Sequence, residues 1–146
     1  TSVAIEAFQH LTTATEAARA GVDDPVEALV QVGRAYVEVS VQHPGHCALI
    51  FREDAICLDD PELQAWGLRA YMVLVTSVER LATIHAPDLE IESAAIACSA
   101  MVQGLVTLYG SLAAASGRLP NDEPIRPIDD LADATIRLLI HGLVDG

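Results

Sequence analysis

Asp24-Pro25-Val26-Glu27-Ala28-Leu29, running through Gly33-Arg34-Ala35-Tyr36 to His43-Pro44, reads as one helix with both ends marked. Asp24 suits the cap and Pro25 the first helical position, and Glu27 completes a capping box. Glu27, Gln31, Arg34, Glu38 and Gln42 recur at spacings of three and four, so they share one wet face. Leu29, Val32, Gly33, Tyr36 and Val39 fall opposite, the pattern of an amphipathic helix. The proline after His43 disfavours helical geometry at that histidine and ends the run.

Punctuation elsewhere extends this to six predicted helices, at about 3–20, 25–43, 45–56, 61–85, 89–116 and 127–143. Gly21 closes the first. Asp60-Pro61 opens the fourth, with Glu62 in its first turn. Asp88, Glu90 and Glu92 load the amino end of the fifth, as the helix dipole favours. The segment from Gly117 to Pro124 is the one long loop, and Pro127 with Asp129 and Asp130 opens the last helix. Ala and Leu dominate and aromatics make up only 4%, so the fold class is all-α, in one domain over residues 1–146.

Composition closes off several functions. The chain is 51% hydrophobic, enough to bury a core. Its net charge of −13 argues against nucleic-acid contact by this domain, because phosphate binding needs clustered basic residues. All eight basic residues are Arg, and they are scattered; the absence of Lys excludes a phosphate-binding or Schiff-base lysine. Cys47, Cys57 and Cys98 are an odd set without metal-type spacing, as expected of free thiols in a cytoplasmic protein. No basic leader precedes an apolar segment at the amino end.

The segment 93–117 carries no charge and is long enough to span a bilayer. Ser93, Ser99, Gln103, Thr107 and Ser111, many alanines and the lack of basic flanks argue instead for a buried helix. In a small domain one side of it packs on its own core and the other needs a partner, unless the helix is simply central. Ala97, Ala100, Gly104 and Ser111 allow close helix approach. Leu131 and Leu139 on the last helix extend the apolar surface. Two such helices per chain, within 89–143, give a four-helix bundle in a symmetric homodimer.

The order of these pieces resembles the regulatory domain of TetR/AcrR-type transcription regulators. Asp24-Pro25, Leu29, Gly33-Arg34-Ala35-Tyr36, His43-Pro44 and Phe51 match its second helix and the short helix that follows. Residues 1–20, with Phe8 central, resemble the connector behind the DNA-binding head. Ala100-Met101-Val102-Gln103-Gly104-Leu105 resembles the long penultimate helix. The resemblance implies a six-helix TetR-like regulatory domain whose last two helices pair in a dimer. It also implies a small, largely apolar effector, with DNA bound only by an N-terminal helix-turn-helix. The chain begins at Thr1 without that segment, so the expectation is the regulator's C-terminal part alone, with no contact to membranes.

Catalytic and metal signals are thin. His43-Pro44-Gly45-His46-Cys47 holds good ligand types, but Pro44 breaks their phase and no second pair is near; a helix-ending turn explains it, and no metal or cofactor is expected. Asp23-Asp24, Glu53-Asp54, Asp59-Asp60 and Asp129-Asp130 sit mostly at helix starts or turns, where capping explains them. Ser77, Ser99 and Ser111 lack a nucleophile-elbow context, so no enzyme is expected. What remains is a pocket. Phe8, Tyr36, Phe51, Trp66, Tyr71 and Met72 lie on the helices that surround the ligand in the resembled family. Tyr36, His46 and Gln103 supply polar groups to orient it. Gly33 and Gly104 remove side-chain volume at mid-helix, which leaves either close packing or a cavity. A ligand-free dimerisation module is the rival reading, and a small helical enzyme the remoter one.

Overall fold

A computed structural model describes residues 2–42, 60–115, 118, 121–124 and 126–145, with the backbone alone described for 2–4 and 111–115. The described residues form five helices: α1 (Ser2–Arg19), α2 (Pro25–Gln42), α3 (Pro61–His85), α4 (Ile91–Ala115) and α5 (Ile128–Asp145). Among the described residues there is no strand, only an isolated bridge between Arg118 and Pro124. The helix expected at 45–56 lies outside the described residues, as do His43, His46, Cys47, Phe51 and Cys57.

The helix ends follow their caps. Asp24 Oδ1 accepts from the amides of Val26 and Glu27 at 2.8 and 3.4 Å, and Asp60 Oδ1 from that of Leu63 at 2.9 Å. Glu90 Oε2 takes the Ser93 amide at 3.0 Å and opens α4. Gly21, with φ of 75°, turns the chain out of α1 in the left-handed region that favours glycine. The expected capping box at α2 forms only by half. The Glu27 carboxylate does not turn back to Asp24; it takes Arg137 of α5 in a two-pronged pair at 2.6 and 3.0 Å.

α2 is the central helix. It packs on each of the other four, while α1 also packs on α3, α3 on α4, and α4 on α5. The core gathers Leu29, Val30 and Val37 of α2, Val78 and Leu81 of α3, Cys98 and Val102 of α4, and Ile136 and Ile140 of α5. The wet stripe of α2 is a polar seam to α5. Arg137 pairs with Glu27 and Asp133, and Arg34 lies 3.6 Å from Asp133. Arg137 holds the Glu27 and Asp133 carboxyls below their ordinary range, chiefly through its hydrogen bonds.

A second polar set fastens the carboxyl half of α1 to α3. Arg19 Nη1 donates to the Thr76 hydroxyl at 2.6 Å and to the Val73 carbonyl at 3.1 Å. Arg69 pairs with Glu16 through two bonds of 3.0 and 3.1 Å, and its guanidinium stacks 5.1 Å from the Trp66 ring centroid. Arg80 donates to the carbonyls of Val22 and Asp23 in the following turn. Buried hydroxyls on these helices are satisfied within their own turns: Thr12 by the Phe8 carbonyl, Thr15 by Leu11, Ser77 by Val73.

Candidate functional site: an apolar cavity at the meeting of all five helices

Between these helices lies a cavity of about 150 Å³. α1 contributes Phe8, Leu11 and Thr15, and α2 contributes Leu29, Val32, Gly33 and Tyr36. α3 adds Gly67, Ala70, Tyr71 and Leu74. Cys98, Ser99, Met101, Val102 and Gln103 come from α4, and Ile136 and Leu139 from α5. On each helix these positions recur at three and four, the spacing that keeps one face inward. Among the described residues the wall holds no charged side chain and is overwhelmingly apolar.

Two glycines on the wall sit where neighbouring helices come close. A methyl group on Gly33 would come within 2.5 Å of the Ile136 Cδ1, so α5 approaches α2 there as closely as glycine permits. A methyl on Gly67 would meet the Phe8 ring at 3.5 Å, an ordinary contact. Cys98 is 7% exposed, and burial pushes its thiol up to about 11. It is therefore a neutral wall group at physiological pH. On α4, Gln103 Nε2 donates to Ser99 Oγ at 3.3 Å.

The structure brings together three of the ligand residues expected from sequence, Phe8, Tyr36 and Gln103, and Tyr71 with them. His46 and Phe51 lie outside the described residues. Trp66 and Met72 do not line the cavity. Positions 67, 70, 71 and 74 form the inward face of α3, which leaves Trp66 at the flank, stacked on Arg69. Met72, 41% exposed, points away. Gly104 is likewise not on the wall: nothing lies within 4 Å of a methyl built there. Leu139, expected at a dimer interface, lines the cavity within one chain, and its neighbour Leu138 is 72% exposed. Ala97 is half-buried, Ala100 exposed and Leu131 half-buried, while the Ser111 side chain lies outside the described residues. Sequence reasoning passed over Leu11, Thr15, Gly67 and Ile136, although Phe8-Leu11-Thr15 carries the helical spacing that marks one face.

Among the described residues no group of three His, Cys, Asp or Glu side chains could hold a metal. Among the described residues the wall offers shape, apolar surface and a few polar groups, of which Ser99 and Gln103 form a hydrogen-bonded pair.

Residues 29–139 match the family described as tetracyclin repressor-like, C-terminal domain. The chain belongs to this family. Its all-α architecture agrees with that of a tetracyclin repressor-like C-terminal domain, a domain of transcription regulators. A solved protein of unknown function from Rhodococcus sp. RHA1 is similar to it in fold. The TM-score is 0.77 at 20% identity, over 98% of this chain and 70% of that one. No curated protein sequence matches this tetracyclin repressor-like domain.

Proposed function

We propose that this domain binds a small, largely apolar effector in the five-helix cavity and, as a homodimer in the cytoplasm, controls DNA binding by an N-terminal part of its protein. The observation that carries the reading is the cavity's composition. One wall is α1, the helix that resembles a connector, and the other walls are helices of the fixed core. A molecule that binds one arrangement of these walls better than another shifts the population toward it, and α1 reports the shift. The family description speaks of a C-terminal domain, which fits an N-terminal DNA-binding part elsewhere in the protein. The charge of −13 keeps this domain itself off DNA.

The dimer reading rests on α4 and α5. Along α4, Ile96 and Leu108 are 54% and 59% exposed, with Ala100 and Gly104 exposed between them; α5 leaves Leu138 out. The segment Ile91–Gly110 is long and apolar enough to cross a membrane, yet only 22% of it is buried within one chain. Small residues at four-residue spacing between large apolar ones suit a second copy of the same helix, and a two-fold axis covers both faces at once.

The test is calorimetric and thermal. Titration of the domain with uncharged aromatic and aliphatic molecules should raise its melting temperature in a dose-dependent way. Side-chain collapse into the cavity, with no melting shift from any such molecule, leaves a dimerisation module without an effector.

A further inference from the structure

We infer that the cavity selects an uncharged molecule of single-ring size that carries one hydroxyl group, and that Ser99 and Gln103 on α4 read that hydroxyl. This rests on the effector-binding reading of the same cavity and adds the chemical class of the ligand and the residues that recognise it.

Size comes first. An apolar space of about 150 Å³ has room for a molecule such as benzene. Charge comes second. Among the described residues no Asp, Glu, His or Arg lies on the wall, so a carboxylate or ammonium entering the cavity loses hydration and gains no counter-ion from them. Of the polar groups on the described wall outside α4, Tyr36 is already engaged. The Thr15 hydroxyl is already given to the Leu11 carbonyl at 2.8 Å. Tyr71 is 39% exposed, so solvent reaches it.

Ser99 and Gln103 differ from these. They sit one turn apart on the wall, both half-buried, and share a single hydrogen bond from Gln103 Nε2 to Ser99 Oγ. Among the described residues, Gln103 Oε1 accepts no hydrogen bond and the Ser99 hydroxyl donates none. The pair therefore offers one acceptor beside one donor in an otherwise apolar wall. A hydroxyl group is the smallest complement, since it donates to the amide oxygen and accepts from the serine. A ligand without it leaves both groups dry and unpaired.

The experiment is calorimetric titration of the 146-residue domain at neutral pH with phenol, toluene, benzoate and benzylamine, which share size and differ in polarity and charge. Phenol is expected to bind about tenfold tighter than toluene, the worth of one or two buried hydrogen bonds. Benzoate and benzylammonium are expected to bind more than about a hundredfold weaker than phenol. Gln103→Leu should erase or reverse the preference for phenol over toluene, Ser99→Ala should reduce it, and Leu68→Ala, on the exposed side of α3 and off the wall, should leave it in place. Circular dichroism confirms that each variant is folded; Ser99→Ala, which deletes one oxygen, serves where Gln103→Leu is not. Equal binding of phenol and toluene overturns the inference and leaves the effector site standing. So does a preference that survives both α4 substitutions, or one abolished by Leu68→Ala alone. Benzoate bound as tightly as phenol overturns the charge selection. No binding by toluene or phenol removes the effector-binding reading together with this one.

Discussion

Gly33 is the residue on which the cavity and the core meet. Alanine there gains about 1 kcal/mol of helix propensity. It also drives its methyl into the Ile136 side chain, and overpacking of this kind costs typically about 1–3 kcal/mol. The loss should win, so Gly33→Ala lowers the denaturant midpoint, and the displaced Ile136 end narrows the cavity. Adding Ile136→Val removes the colliding Cδ1 and should restore part or all of the loss. A double variant no more stable than Gly33→Ala alone would show that the collision is relieved in another way. Gly33 was legible in the sequence as a position needing a reason. Which of two reasons applied was not, because the residue that presses on it comes 103 positions later in the chain. The same limit hid the partner of Glu27. A local capping box and a pair with Arg137 look identical until α5 is in place.

Among the elements, α2 and α5 are joined by a polar seam whose strength depends on pH. Arg137 lowers the Glu27 and Asp133 carboxyls from their ordinary 4.5 and 3.8. Lowered carboxyls contribute stability that is fully present above those ordinary values and is lost as pH falls through the lowered ones. Arg137→Gln should therefore melt earlier than the native chain at neutral pH. That gap should close as pH drops below about 4, and thermal melts across the acid range measure it. A gap that persists at pH 2 would mean that Arg137 acts through packing of its stem. Helix existence and ends were readable because Asp24, Asp60, Gly21 and Pro61 act within one turn of themselves. Helix phase was less so on α5. Leu138 and Leu139 are adjacent leucines on a helix apolar over more than one face, and only the packed structure tells the inward from the outward one. Trp66 and Met72 missed the cavity for the same reason, as aromatic and apolar character marks burial without naming the side.

For the whole molecule, the exposed face of α4 carries the decisive test of assembly. A methyl built at position 104 meets nothing within 4 Å, so an arginine there starts into open space and its effect on assembly reads the contact with a second chain. The native domain should run as a dimer in light scattering at micromolar concentration. Gly104→Arg should run as a folded monomer with an unchanged circular dichroism spectrum. A native monomer would contradict the dimer reading, and a Gly104→Arg dimer would move the interface off this face.

The uneven fastening of α1 has a mechanical consequence. Its carboxyl end is pinned to α3 through Arg19 and the Glu16–Arg69 pair, whereas Phe8 and Leu11 rest on the wall of the cavity. At 1.5 Å per residue, Phe8 stands about 16 Å from the pin and the start of the helix about 25 Å from it. A rigid rod hinged at one end magnifies displacement in proportion to distance. A ligand that pushes Phe8 sideways by 1 Å thus carries the amino end of α1 through about 1.5 Å, and two such rods in a symmetric pair change their separation by twice that.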